Sequence, residues 1–280
     1  MKKMAAVQMC SSADVDENLQ QASKWIAEAA ENKASLVVLP EMFAIMGMNA
    51  NDKILIREAR GEGKIQSFLA RMAREHRIWI VGGTIPLISK QENKVMAASL
   101  VYDDHGKLVA HYDKMHLFDV VLSSEEQYRE SDTITAGNKI VTVDSPVGKL
   151  GLAVCYDVRF PELFRCLSDE GVEVIALPSA FTVPTGKAHW EILVRARAIE
   201  NFCYVIAAAQ GGNHVNGRKT WGHSMIVAPW GNVLAVLDDD KPGIIYAEMQ
   251  NEKINEARQS IPVKQHRRIL TDRRNLDHEN

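Results

Sequence analysis

ASLVVLPEMF, residues 34–43, is answered by VEVIALPSAF, residues 172–181: an apolar run, Pro40 or Pro178, then a polar residue, Glu41 or Ser179. Each run reads as a short buried strand stopped by its proline. A second echo comes later in each half. SLVYDDHGKLVAHYD, residues 99–113, is matched by SMIVAPWGNVLAVLD, residues 224–238, with Gly106 and Gly231 near the middle. Both read as strand, tight glycine turn and returning strand. Hairpins also resemble one another by composition alone. Taken as a repeat, the echoes predict two similar sheets.

Working outward, strand-like and helix-like segments alternate. Ala5–Met9 reads as a strand, and Leu19, Ala22, Ile26, Ala29 and Ala30 then recur at helical spacing. A second helical stripe, Ile65, Phe68, Leu69, Met72 and Ala73, precedes the strand Ile78–Val81 and the pair Gly82 and Gly83. The expectation is an α/β protein, internally pseudo-duplicated. Its two mixed sheets pack face to face under helices, giving a four-layer αββα sandwich. One domain is expected over residues 1–258. The basic, weakly periodic segment 259–280 reads as a solvated tail or an arm on a partner subunit.

The chain has 280 residues, of which 46% are hydrophobic, enough for a sizeable core. Its formal net charge of -3 gives no electrostatic reason to expect nucleic acid or an anionic membrane as partner. No run approaches the roughly 20 apolar residues of a membrane span. The four cysteines, Cys10, Cys155, Cys166 and Cys203, lack CxxC spacing and disulfide-scaffold density, so reduced thiols and a cytoplasmic setting are expected. A small molecule is the expected partner.

Three polar residues stand at abrupt ends of apolar runs. Cys155 lies in KLGLAVCYDVRFPEL, Glu41 in SLVVLPEMF and Lys114 in KLVAHYDKMHLF. Ligands of α/β sheets gather beyond strand carboxyl ends, so the three could meet. A thiol needs a base before it attacks, and a partly buried glutamate suits that task. An ammonium and the N–H of Tyr156, just after the thiol, would hold the oxyanion formed on a carbonyl. Singly, each residue has a plainer reading: Cys155 as small core residue, Glu41 as loop or cap residue, Lys114 as surface charge. HExxH, GxSxG and GxxxxGK[ST] are absent, so neither metal nor nucleotide cofactor is expected. His189, His214 and His223 could pair with a cysteine, but none comes with a nucleophile signature.

The motifs LPEMF, YDKMHLFD and GLAVCYDVRFPEL, with GHSMIVAPWGNVLA and AHWEILVRARAIENFCYVIAAAQ, resemble the nitrilase superfamily of carbon-nitrogen hydrolases over nearly the whole chain. That resemblance implies the αββα sandwich, a homodimer or larger homo-oligomer joined through a helical face, and a Glu-Lys-Cys triad at Glu41, Lys114 and Cys155. It also implies a second glutamate. Glu130 in EEQYRESDTITAG fits best, with Glu125 and Glu126 as neighbours. PSAFTVPTGKAHWEILVRARAIEN and AAAQGGNH are most similar to the deaminated glutathione amidase branch. The implied reaction passes through a cysteine thioester and releases α-ketoglutarate and cysteinylglycine. An ω-amidase, an N-carbamoyl amide hydrolase and a catalytically silent binding protein are the alternatives. Arg159, Thr185 and Lys187 are candidates for the substrate's charged ends, and Phe43 and Phe181 for the pocket walls. Against this, Arg159 could pair with Asp157 or Glu162, Lys187 could face water, and either phenylalanine could be core.

Overall fold

The computed structural model describes residues 2–123 and 126–269. The first half of the chain carries β1 (Lys3–Gln8), α1 (Val15–Glu31), β2 (Leu36–Val38), α2 (Asp52–Leu55), α3 (Lys64–His76), β3 (Trp79–Val81), β4 (Ile85–Ile88), β5 (Val95–Tyr102) and β6 (Leu108–Asp113). Three short strands, β7 (Asp119–Val121), β8 (Gln127–Arg129) and β9 (Ile134–Thr135), lead into β10 (Thr142–Ser145) and β11 (Gly148–Leu152). Then come α4 (Pro161–Asp169), β12 (Val174–Ala176), α5 (Val183–Asn201), β13 (Tyr204–Ala207), β14 (Gly211–Asn213), β15 (Lys219–Trp221), β16 (Met225–Val227), β17 (Val233–Val236), β18 (Gly243–Glu248), α6 (Asn251–Ser260) and α7 (Val263–His266).

The repeat written in the sequence is a repeat of topology. In the first sheet β1, β2 and β3 run parallel, β5 lies antiparallel to β3, β6 returns beside β5, and β18 closes the far edge antiparallel to β1. In the second, β11, β12 and β13 run parallel, β16 lies antiparallel to β13, β17 returns beside it, and β10 closes the far edge. The two quoted hairpins are β5–β6 and β16–β17. The two proline-stopped runs are β2 and β12. Both sheets mix parallel and antiparallel pairs, as expected from the sequence.

Strand alternation builds the layers. On β1, Met4 and Ala6 share a buried cluster with Leu36 and Val38 of β2 and with Leu150, Leu152, Val174 and Ala176 of the second sheet. The residues between them, Ala5 and Val7, join Leu19, Ala22 and Ile26 of α1 and Phe68, Leu69 and Met72 of α3. One face of the first sheet therefore meets the second sheet and the other meets helices. Leu163, Phe164 and Leu167 of α4 and Trp190, Val194 and Ala198 of α5 belong to the second sheet's cluster. The order is helices, sheet, sheet, helices. Burying one such aliphatic side chain contributes about 1.5–3 kcal/mol, so these clusters carry most of the stability.

Local chemistry sets the ends of these elements. Asp14 caps α1, its side chain accepting from the N–H groups of Asp16 and Glu17. Pro161 opens α4, where its missing N–H leaves nothing unpaired. Of the segment 259–280, the described part returns to α4: Lys264 donates to Ser168 O, and Arg267 pairs with Asp169 at 2.9 Å. Residues 270–280 lie outside the described residues. Among the described residues no helix is long and apolar enough to cross a membrane.

Candidate active site

Cys155 stands where β11 gives way to a short 3₁₀ turn, Cys155–Arg159, at a backbone φ of 46°. A non-glycine residue in the left-handed region is strained, and the surroundings must hold it there. Asp157, fully buried, does so. Its Oδ2 accepts from Val154 N and Tyr112 Oη, both at 2.7 Å, and its Oδ1 from His116 N at 3.1 Å and His116 Nδ1 at 2.7 Å. The His116 ring then stacks on Phe160 at 3.7 Å. Cys155 N donates to Pro178 O at 2.9 Å, and Ala180 N donates to the sulfur at 3.5 Å. The second proline-stopped run thus supports the thiol directly.

Glu41 stands three residues beyond the end of β2, as Ser179 does beyond the end of β12. Gln210 Nε2 donates to Glu41 O at 3.0 Å, and Met42 N donates to Thr84 Oγ1 at 2.9 Å. Gly83 allows this approach. At φ 50° it lies so close that a Cβ would fall 2.0 Å from Pro40 O, which no other residue tolerates.

Lys114 directly follows β6 and lines the cleft that holds Cys155, its side chain 1% exposed. Its Nζ donates to Glu41 Oε1 at 2.8 Å and to Glu130 Oε2 at 2.7 Å. Phe118 N donates to the same Glu130 oxygen at 2.8 Å. One ammonium therefore bridges two carboxylates. Glu126 instead accepts from Tyr128 Oη at 2.9 Å, and Glu125 lies outside the described residues.

The electrostatics of this cluster are lopsided. Burial opposes the Lys114 charge, but Glu130 and Glu41 overcome it and hold the amine well above its ordinary value. Burial raises the Glu130 carboxyl while Lys114 pulls it down further, so it ends below its ordinary value. Burial pushes the Cys155 thiol well up, Glu41 adds to that and hydrogen-bonds to it, and Lys114 with Ala180 N–H pulls the other way. The resting cysteine is a thiol with a carboxylate beside it. Sulfur can then attack as its proton leaves for Glu41, without standing free as thiolate.

Glu41, Lys114, Glu130 and Cys155 line one cleft with Phe118, Tyr156, Ala180, Phe181, Thr182, Thr185 and Arg218. The structure thus gathers the three triad candidates, Glu130, Tyr156, Phe181 and Thr185. Arg159 lies behind this wall, its guanidinium over the Phe181 ring at 5.4 Å and the Tyr156 ring at 6.0 Å, with Nη1 3.2 Å from His189 Nδ1. Asp157 is already taken by Tyr112 and His116. Lys187 is exposed on α5, and Phe43 is buried with the residues under α1 and α3; neither reaches the cleft. Arg197 pairs with Glu200 on α5 at 2.5 Å and donates to Val158 O at 2.7 Å.

Sequence reasoning missed Arg218, which precedes β15. Its Nη2 donates to Ala180 O at 2.8 Å, its guanidinium lies over Tyr128 at 5.3 Å, and its Nε is buried without a partner among the described residues. Its only signal was a cation between GGNH and GHSM, which spacing alone does not bring to the thiol.

The carbon-nitrogen hydrolase family pattern matches residues 3–259. The chain belongs to that family. A deaminated glutathione amidase of Yersinia enterocolitica is 40% identical over 270 residues, 96% of this chain and 93% of that one. The crystal structure of the Caenorhabditis elegans NitFhit protein superposes with a TM-score of 0.88 at 39% identity, over 95% of this chain but only 65% of that longer one. Saccharomyces cerevisiae Nit3, a member of branch 10 of the nitrilase superfamily, matches with a TM-score of 0.85 at 33% identity over 96% of this chain and 97% of that one.

Proposed function

We propose that this carbon-nitrogen hydrolase is an amidase working through Cys155, and that its substrate is deaminated glutathione, cut into α-ketoglutarate and cysteinylglycine. The observation that carries the reading is the buried Lys114 bridge between Glu41 and Glu130, facing the Cys155 thiol across one cleft. The similarity to the Yersinia enterocolitica enzyme supports the substrate.

In this mechanism Cys155 Sγ adds to the amide carbon while its proton passes to Glu41. The carbonyl oxygen takes the electron pair, held by the Lys114 ammonium and the Tyr156 N–H. That N–H opens a helical turn, where the first donors have no partner within the turn. Glu41 returns the proton to nitrogen as the C–N bond breaks, leaving a thioester. Water gives a proton to Glu41 and adds to the thioester, the C–S bond breaks, and sulfur takes the proton back. Glu130 keeps Lys114 aimed throughout.

The test is a panel of deaminated glutathione, α-ketoglutaramate, N-carbamoyl-β-alanine and a simple nitrile, with product mass as readout. Deaminated glutathione is expected to turn over fastest, and Cys155→Ala to abolish that turnover. Preference for the carbamoyl compound, or turnover by Cys155→Ala, refutes the assignment.

We further propose that subunits pair through the α5 face. Ile192 and Ile199, two helical turns apart, are 69% and 43% exposed, and Trp230, which stacks on Phe202 at the end of α5, is 57% exposed. A monomer by light scattering would refute it. Four free thiols, three of them buried, suit a reducing compartment such as the cytoplasm.

A further inference from the structure

A second cavity adjoins the thiol cleft. It is lined by Met42, Ile45, Lys53, Thr84 and Ile85 among others, and it shares Glu41 and Glu130 with the cleft that holds Cys155. The two carboxylates thus stand at a doorway between two chambers. One chamber has the nucleophile and the other does not.

We propose that the second chamber receives the leaving half of the amide, and that Lys53 Nζ is the cation for a carboxylate at the far end of that half. This rests on the amidase reading above. The argument begins at the carbonyl carbon, whose three substituents must point three ways. The oxygen faces Lys114. The nitrogen faces Glu41, which hands it a proton as the C–N bond breaks, so whatever the nitrogen carries lies beyond Glu41. The wall beyond Glu41 is this cavity, since Glu41 lines both chambers. The acyl half then keeps to the thiol cleft, beside Arg218.

Lys53 is built to meet an anion there. It is half-buried at the start of α2, and its Nζ donates to Thr133 Oγ1 at 3.1 Å. An ammonium has three N–H donors, and among the described residues no carboxylate lies within ion-pair distance of this one. Burial lowers its pKa, and Glu130 pulls the other way. A ligand carboxylate would complete its coordination. Around the two chambers Lys53, Lys114 and Arg218 face Glu41 and Glu130, so cations exceed carboxylates by one. A substrate with one carboxylate in each half would meet a cation in each chamber, Arg218 in the cleft and Lys53 in the cavity. Ile45, Ile85, Val95 and Ile134 line the rest of the chamber, which suits a short uncharged stem between amine and carboxylate.

The experiment compares two amides with the same acyl half: deaminated glutathione, whose leaving group ends in a carboxylate, and α-ketoglutaramate, which leaves ammonia. Lys53→Met should lower kcat/KM for the first at least tenfold more than for the second. Amidating the terminal carboxylate of the first should produce the same loss in the parent protein and add little to the variant. An equal change for both amides, or additive losses, overturns the chamber assignment while the amidase reading stands. Cysteinylglycine binding by calorimetry separates the two readings without turnover. The parent should bind it at least tenfold more tightly than Lys53→Met, and equal binding overturns the inference.

Discussion

Replacing Lys114 by methionine keeps the length of the side chain and removes its charge. Glu41 and Glu130, whose side chains are 5% and 20% exposed, then face each other with no ammonium between them. Removing one partner of a buried ion pair costs about 3–5 kcal/mol, because the charge left behind is neither paired nor hydrated. For a chain of this size that is a fall in Tm of about 10 °C. The sign with pH follows from Glu130. In the parent protein Lys114 holds its carboxyl below the ordinary value, so the pair contributes stability above the unfolded carboxylate pKa, lost as pH falls through the folded one. In the variant the strongest pull downward is gone and burial raises the carboxyl against only the Phe118 N–H and Lys53, so the penalty is largest at neutral pH and is relieved on acidification. Thermal melts at pH 7.5 and pH 5 should therefore show a larger deficit at pH 7.5. Adding Glu130→Gln to Lys114→Met should recover part of the loss at pH 7.5 without restoring turnover. A single variant that melts within about 2 °C of the parent at pH 7.5 would refute the buried-bridge argument.

Two further outcomes follow from the same geometry. Glu41→Gln removes a charge that raises the Cys155 thiol, so iodoacetamide labelling of Cys155 should move to lower pH while hydrolysis drops about 100-fold or more; an upward move contradicts the assigned influence. Asp157→Asn turns one of two accepting oxygens into a donor facing donors, which should cost about 3 kcal/mol and lower kcat as the Cys155 turn relaxes, and an unchanged melt would exclude that role.

Much of this was readable along the chain because buried strands print as apolar runs, and the residue that ends each run has few places to go. Glu41, Lys114 and Cys155 were visible for that reason. The duplication was visible because equivalent strands face equivalent neighbours and so need similar residues. Phe43, expected as a pocket wall or as core, lies in the core, where Met42, at φ 58°, turns the chain and the next side chain packs with those of α1 and α3. Alternation does not survive a left-handed residue. Arg159 was a candidate for a charged end of the substrate, with a pairing to Asp157 or Glu162 as the plainer reading, but the Asp157 carboxylate serves Tyr112 and His116 from a different strand and loop. Lys53 and Arg218 carry no local mark. Their proximity to the site is decided by long-range packing, which one-dimensional spacing does not encode.

The acid hangs from one half of the duplicated scaffold and the thiol from the other, so the span that the proposed proton transfer has to cross is fixed by the oily filling between the two layers. Met4, Ala6, Leu152 and Ala176 act as shims. Thinning one of them lets the halves settle or slide, and such a change, made far from any reacting atom, would be felt first as a slower chemical step.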